Sequence, residues 1–273
     1  MRGRCSEALR PLLPRWYLPP AAGPRRKLCL SLFGGRGVLA DAAAKLGCLG
    51  LVLDLADSLF NDLGKPSVYK KLLKVIPECS MLGIDIPCNT WSRARRGPPT
   101  SRMPRALRSD AELWGLKGLS SRDEAKVASA NRMIKGCLRL ARAAIANNIG
   151  GYLENPRTSR IWLVPAIQSL VRREQAVFVD LDMCQYDAQW RKPTRLLIWG
   201  PSRFSFRMSR CQGHEGICSR THKPHLKLTG VTHGAFVTAQ AQVYTWTFSD
   251  AVVRQLLQGA AAAARATTGR GCG

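Results

Sequence analysis

Between residues 28 and 200 the chain alternates short, unbroken apolar runs with stretches of helical periodicity. Leu28–Phe33, Gly50–Leu55 and Leu82–Ile86 read as strands buried on both sides, because each is apolar at nearly every position rather than at every second one. Gly37–Leu46 predicts a helix closed by Gly47 at its C-terminal cap. Val68–Ile76 predicts a shorter helix, and residues 93–119 form a basic loop rich in Pro and Gly. Ser121 and Glu124 stand at capping-box spacing. Val127, Ile134, Leu138, Ala141 and Ile145 then recur at helical intervals, so a long helix follows. Gly151–Glu154, Ala176–Leu181 and Thr194–Trp199 complete a set of six strands, with a helix over Ser159–Arg172. Such alternation predicts an α/β, Rossmann-like architecture: a mostly parallel sheet with helices on both faces.

Composition supports a globular chain with one dominant domain. Of its 273 residues, 45% are hydrophobic, enough for a core, and no run approaches the ~18 apolar residues of a membrane span. The charge changes the picture more. Lys and Arg number 42 against 18 Asp and Glu, a net charge of +24, which points to a polyanionic partner, most simply DNA. Ten scattered cysteines in a chain of this length fit a reducing compartment. The division expected is a basic arm over 1–27, a catalytic domain over 28–200, a small basic Cys/His region over 201–258 that serves target recognition, and a flexible tail over 259–273. The arm holds six arginines and a single acid, the composition of an organellar leader, but its five prolines break any amphipathic helix, so a disordered arm is expected. A DNA partner implies the nucleus or nucleoid, with an organellar address left open.

In parallel sheets ligands bind beyond the carboxyl ends of the strands, so chemistry is sought there. The first strand ends in Phe33-Gly34-Gly35-Arg36-Gly37, where glycines either admit a ligand to the backbone or simply make a tight turn. The second ends in Asp54, placed to accept from a ribose diol, with Asp57 as a competitor. The third runs into Asp85-Ile86-Pro87-Cys88-Asn89-Thr90-Trp91-Ser92, which offers a thiol as nucleophile or as a packing residue. The fourth ends in Glu154-Asn155-Pro156, and Tyr186 to Arg195 gathers cations and aromatics before the sixth. Near the C-terminus Cys211, His214 and Cys218 have spacing compatible with a zinc knuckle, or are incidental residues of a basic loop.

Taken in order, these strand ends resemble the DNA cytosine-5 methyltransferases, and in particular the divergent methylase-like domains of phages and mobile elements. That family carries Phe-Ser-Gly-x-Gly, Pro-Pro-Cys with a serine four residues on, Glu-Asn-Val and Tyr-Gly-x-Pro-Gln-x-Arg-x-Arg. Here Phe33–Gly37, Ile86-Pro87-Cys88 with Ser92, Glu154-Asn155-Pro156 and Tyr186–Arg195 stand in the same sequence. Ser31 replaces the family's acid before the phenylalanine, Asp187 replaces a glycine, and no Gly-Asn-Ser motif follows.

The resemblance implies a class I methyltransferase fold using S-adenosylmethionine, bound by Phe33, Gly35, Gly37, Asp54 and Asp85. It implies Cys88 as the thiolate that adds to carbon 6 of a flipped-out cytosine, its pKa lowered by Arg93, Arg95 and Arg96. Glu154 would bond the ring nitrogen, and Arg191 or Arg195 the carbonyl oxygen. Ser92, Arg93, Arg95, Arg96, Arg102 and Arg105, with Arg108, would close over the DNA and bind phosphates. The competing expectations are a degenerate mobile-element protein that binds nucleic acid without catalysis, and an RNA methyltransferase.

Overall fold

The apolar runs assemble into one seven-stranded sheet. The structure, a computed structural model, describes residues 7–20, 27–95, 97, 104–228, 231–232 and 235–268. Its strands are β1 (Arg15–Tyr17), β2 (Leu28–Leu32), β3 (Leu49–Leu53), β4 (Cys79–Ile84), β5 (Gly150–Pro156), β6 (Ala176–Asp182) and β7 (Pro193–Trp199). The order across the sheet is β1-β3-β2-β4-β5-β7-β6. β2, β3, β4 and β5 pair in parallel, whereas β1 runs against β3 and β7 runs against both β5 and β6. A mixed, mostly parallel α/β sheet of this kind is compatible with the Rossmann-like expectation.

The helices are α1 (Val38–Lys45), α2 (Pro66–Val75), α3 (Ser121–Ala146), α4 (Pro165–Arg172) and α5 (Trp246–Thr268). They cover both faces, and the strands alternate between two cores as the pleat requires. Leu28, Leu30 and Leu32 of β2 join the core beneath α2, α3 and α4, with Leu72, Ile134 and Ile167. Cys29 of β2, Met81 of β4 and Tyr152 of β5 join the other, beneath α1 and α5, with Leu39, Phe248 and Val252. Burying each such side chain is worth about 1.5–3 kcal/mol, so α5 is part of the sheet's second layer rather than of a separate unit starting at residue 201.

Several local expectations change. The described part of the N-terminal arm is folded: Leu9 and Leu12 are buried and β1 extends the sheet edge. Alternating side chains in a three-residue edge strand give too little periodicity to detect. β7 is reversed because only ten residues, 183–192, connect it to β6, too few for a helical crossover. The helix expected over Ser159–Arg172 is a 3-10 turn at Arg160–Leu163 and then α4, separated at Val164 because Pro165 opens a new helix. Ser120, not Ser121, caps α3, its hydroxyl accepting from the Asp123 N–H. α5 continues to Thr268 through the alanine-rich segment expected to be a loose tail, as alanine's helix propensity allows. No helix among the described residues is long and apolar enough to cross a membrane.

Candidate active site at the strand ends

The carboxyl ends of β2, β3, β4 and β5 open onto one pocket of about 730 Å³. Its wall includes Phe33–Arg36, Asp54, Asp57, Asp85, Cys88, Glu154, Lys192 and Tyr244. The thiol and the carboxylate singled out from two distant motifs therefore meet in one cavity. Asn155 explains how. Its amide donates to the Ile86 carbonyl at 2.9 Å, fastening the end of β5 to the loop that carries Cys88. Cys88 is half-buried in the first turn of that loop, its carbonyl accepting from the Trp91 and Ser92 N–H groups.

The glycine turn is built for close approach. Phe33 holds φ 58°, unusual for a non-glycine residue, and its N–H bonds the Leu53 carbonyl. Gly35 (φ 50°) has open space where a Cβ would stand. Gly37 (φ 78°), just before α1, lies against the Tyr17 ring, so a side chain there would collide. Asp54 braces the turn, accepting from the Gly35 N–H at 3.0 Å and the Ala56 N–H at 2.9 Å. Its competitor Asp57 is paired with Arg15 of β1 at 2.8 Å. Ser31 is buried directly beneath Gly34.

Charge in the pocket is opposite in balance to that of the molecule. Asp54, Asp57, Asp62, Asp85 and Glu154 line it against Arg15, Arg36 and Lys192. Asp85 accepts from the Tyr152 hydroxyl at 2.9 Å and the Tyr244 hydroxyl at 3.0 Å through one oxygen, while the other has no partner. Burial and then the Glu154 charge push its carboxyl up to about 8, against the opposing pull of the two tyrosines and Lys192. Burial, followed by Glu154, likewise pushes the Cys88 thiol above its ordinary value, and Lys192 draws it down. Lys192 Nζ stands 3.5 Å from Glu154 Oε1.

The cation beside Cys88 and Glu154 is thus Lys192, not the residues expected. Arg191 turns the other way, toward Asp182 at 3.5 Å and the Cys211 carbonyl at 3.0 Å. Arg195 sits across the ladder from Asn155 rather than Glu154, so the pleat sends it to the opposite face, where it pairs with Asp180 at 2.6 Å and lies over Phe178. Arg93 bonds Asp110 at 2.7 Å and the Thr158 carbonyl at 3.0 Å, and Arg95 bonds the Arg105 carbonyl at 3.1 Å. These arginines fold their own loop, and neither is among the causes of the Cys88 shift. Arg105 donates to the Gly118 carbonyl at 3.1 Å, and Ser92 Oγ accepts from the Ala94 N–H at 3.1 Å. Arg96 and Arg102 lie outside the described residues. Arg108 is not a phosphate ligand poised in solvent. It is buried against Trp91, 3.6 Å from the ring centroid, and bonds Thr90, Leu113 and Asn131.

Lys192, Tyr152, Tyr244 and Arg15 escaped the sequence reading. Lys192 adjoins the expected Arg191 just before β7, where the backbone turns through φ 26° at Lys192 and the two side chains part, one to Glu154 and the other to Asp182. Tyr244 reaches Asp85 from the far end of the chain, and no local pattern announces it.

A second cluster lies beyond β6. Cys184, Cys211, Cys218 and His225 bring their ligand atoms within 4.8 Å of one another. His214 is not among them: it is replaced by Cys184, in the 3-10 turn Met183–Tyr186, and by His225. The three cysteines are buried and form a small core of their own. Burial raises the Cys211 and Cys218 thiols, but hydrogen bonds to their sulfurs outweigh it and bring both to about 7; Cys184, with burial dominant, is pushed up to about 12. Four such donors can hold a metal ion.

No protein-family model, curated protein or solved structure matches the chain.

Proposed function

We propose that the protein is an S-adenosylmethionine-dependent DNA (cytosine-5) methyltransferase with Cys88 as its nucleophile. The observation that carries this reading is the meeting of Cys88, Glu154 and the glycine turn on one open pocket. The mixed sheet, with β7 reversed between β5 and β6, is compatible with the class I methyltransferase fold.

The pocket's residues fit the cofactor. A basic protein with an acid-rich pocket suits a ligand bearing positive charge, as a sulfonium and an ammonium group do, better than a phosphate-bearing one. Asp85 has a carboxyl oxygen without a partner, and open space stands at Gly35 where a Cβ would be. Phe33, Gly35, Asp54 and Asp85 would hold the cofactor, whereas Gly37, against Tyr17, is not part of the pocket wall. When bound, S-adenosylmethionine supplies an electrophilic methyl group.

The chain's own residues supply the rest. Cys88 attacks carbon 6 of the base and so makes carbon 5 nucleophilic. At rest its thiol is protonated, because burial and the Glu154 carboxylate disfavour the thiolate. Neutralising Glu154 removes that opposition. The Cys88 proton passes to the Glu154 carboxylate, which shares it with the ring nitrogen of cytosine as the S–C6 bond forms and the C5=C6 π bond opens, so the base is activated and the thiolate released together. Lys192 serves the part expected of Arg191 or Arg195: it offsets the thiolate charge and offers a donor to the cytosine carbonyl oxygen. DNA would approach along the loop bearing Ser92, Arg93, Arg95 and Arg105, with the target base flipped out of the stack.

The test is denaturing mass spectrometry after incubation with S-adenosylmethionine and a 5-fluorocytosine oligonucleotide, whose fluorine blocks release of the enzyme. Wild type gains the mass of the oligonucleotide and C88A does not. If wild type gains nothing, the catalytic reading is wrong and the nucleic-acid-binding alternative stands in its place. An adduct with the RNA version alone moves the substrate to RNA.

A further inference from the structure

Residues 200–228 form no helix or named strand; their backbone bonds are mostly turns, with one isolated bridge, Ile217 to Pro224, and bonds from the Asp182 N–H to the Ser209 carbonyl and from the Leu226 N–H to the Gln189 carbonyl. Phe206 anchors the start of this segment in the core beneath α1 and α5, but from Ser209 to Leu226 its buried apolar groups are Cys211 and Cys218 alone, which with Cys184 form a small cluster set apart from the two large cores. Three thiols bury too little apolar surface to order so long a loop, so something else must cross-link it.

The four ligand atoms, all within 4.8 Å of one another, can close on a metal ion. Cys211 Sγ and His225 Nε2 are 3.7 Å apart. With metal–sulfur bonds of about 2.3 Å and metal–nitrogen bonds of about 2.0–2.1 Å, the edge of a tetrahedron is roughly 3.6 Å, whereas a disulfide would need about 2.05 Å. All three cysteines are free thiols. The surroundings are arranged for thiolates. The Ser219 N–H and hydroxyl reach Cys211 Sγ, at 3.4 and 3.5 Å. The Gln185 amide spans Cys184 Sγ and Cys218 Sγ at 3.6 and 3.7 Å. Donors converging on sulfur from outside are what metal-bound thiolates require of their surroundings.

The cage grips the connection between β6 and β7. Cys184 lies within that connection. The Cys211 N–H donates to Asp182 at 2.9 Å, the Arg191 guanidinium to the Cys211 carbonyl at 3.0 Å, and the Leu226 N–H to the Gln189 carbonyl at 2.9 Å. The connection ends at Lys192, the cation facing Glu154.

We propose that Cys184, Cys211, Cys218 and His225 bind one structural zinc ion, and that this ion fixes the connection delivering Lys192 to the pocket. Four protein ligands, three of them thiolates, select zinc and leave no coordination position for substrate.

The experiment is elemental analysis of the full chain purified under reducing conditions with zinc present and no chelator, and it needs no enzymatic activity. About one equivalent of zinc is expected, with C218S and H225A losing it and H225C, which makes the cage all-thiolate, retaining it. Should C218S fail to fold, the same count is made on wild type by titrating thiols with a mercurial: one zinc is released as the clustered cysteines react. Below about 0.2 equivalents in wild type, or undiminished zinc in folded H225A, overturns the site. The positional role is read by hydrogen exchange. Zinc removal should speed exchange across 183–192 by at least about tenfold while β2 and β4 stay protected, and unchanged exchange there overturns it.

Discussion

The opposing pulls of Glu154 and Lys192 on Cys88 make a paired prediction in which two substitutions move one thiol in opposite directions. At 3.5 Å the two charges attract by about 5 kcal/mol in a medium of effective dielectric ~20, so each strongly offsets the other in the resting pocket. Cys88 feels both, and it feels each less because the pocket is open to solvent. A unit charge across the pocket is then worth roughly 1–2 kcal/mol to the thiolate, and about 1.4 kcal/mol is one pKa unit. K192M leaves burial and Glu154 unopposed and should raise the Cys88 titration by about one unit. E154Q removes the next-largest cause after burial and should lower it by about one unit. The double variant should return to within about 0.5 unit of wild type, because the two effects cancel. The assay is alkylation of Cys88 by iodoacetamide across pH, read on its peptide by mass spectrometry, since the rate follows the thiolate fraction. Reading the Cys88 peptide alone keeps the other described cysteines out of the measurement. If both single variants shift in the same direction, or neither shifts by more than a few tenths of a unit, the proposed electrostatic coupling of thiol and carboxylate does not exist.

Three further outcomes follow from the same packing. Asp85 titrates near 8 in the folded chain against an ordinary 3.8, so the folded state holds a proton that the unfolded state has lost; stability is full below pH 4 and drains as pH rises to about 8. D85N should flatten that slope and gain roughly 1–3 kcal/mol at pH 8, read as the urea midpoint against pH, and an unchanged slope refutes it. Gly136 faces the Tyr69 ring from the middle of α3, where an added Cβ would overlap it. G136A should therefore cost about 1–3 kcal/mol in urea unfolding, although alanine's propensity alone would gain about 1 kcal/mol, and a stabilised variant would show that the ring yields. R108A should cost about 2–4 kcal/mol through lost packing and bonds to Thr90, Leu113 and Asn131. Its oligonucleotide binding should keep the wild-type salt dependence, whereas a slope reduced by about one would return Arg108 to the phosphate contacts.

The β2, β3 and β4 runs and the long α3 were legible in the sequence because their signals are local: an unbroken apolar stretch, or a helical interval with a cap, depends only on neighbours along the chain. The glycine turn, Cys88 and Glu154 were legible for a related reason, since each closes a strand and the chemistry of such sheets gathers at strand ends. What could not be read was which side a residue faces and what meets it there. Arg191 and Lys192 are adjacent and both cationic, yet one packs on Asp182 and the other on Glu154. Arg195 was expected beside the base but faces the other layer, because β7 is reversed and its register sets it opposite Asn155. His214 has the better spacing from Cys211, but the turn after β6 brings Cys184 and the loop brings His225. Along the chain, residue type and spacing determined where the reactive groups stand at the strand ends. The tertiary structure alone decided the partners of those groups, because the field at a thiol and the closure of a metal cage depend on distances between segments that sequence spacing does not encode.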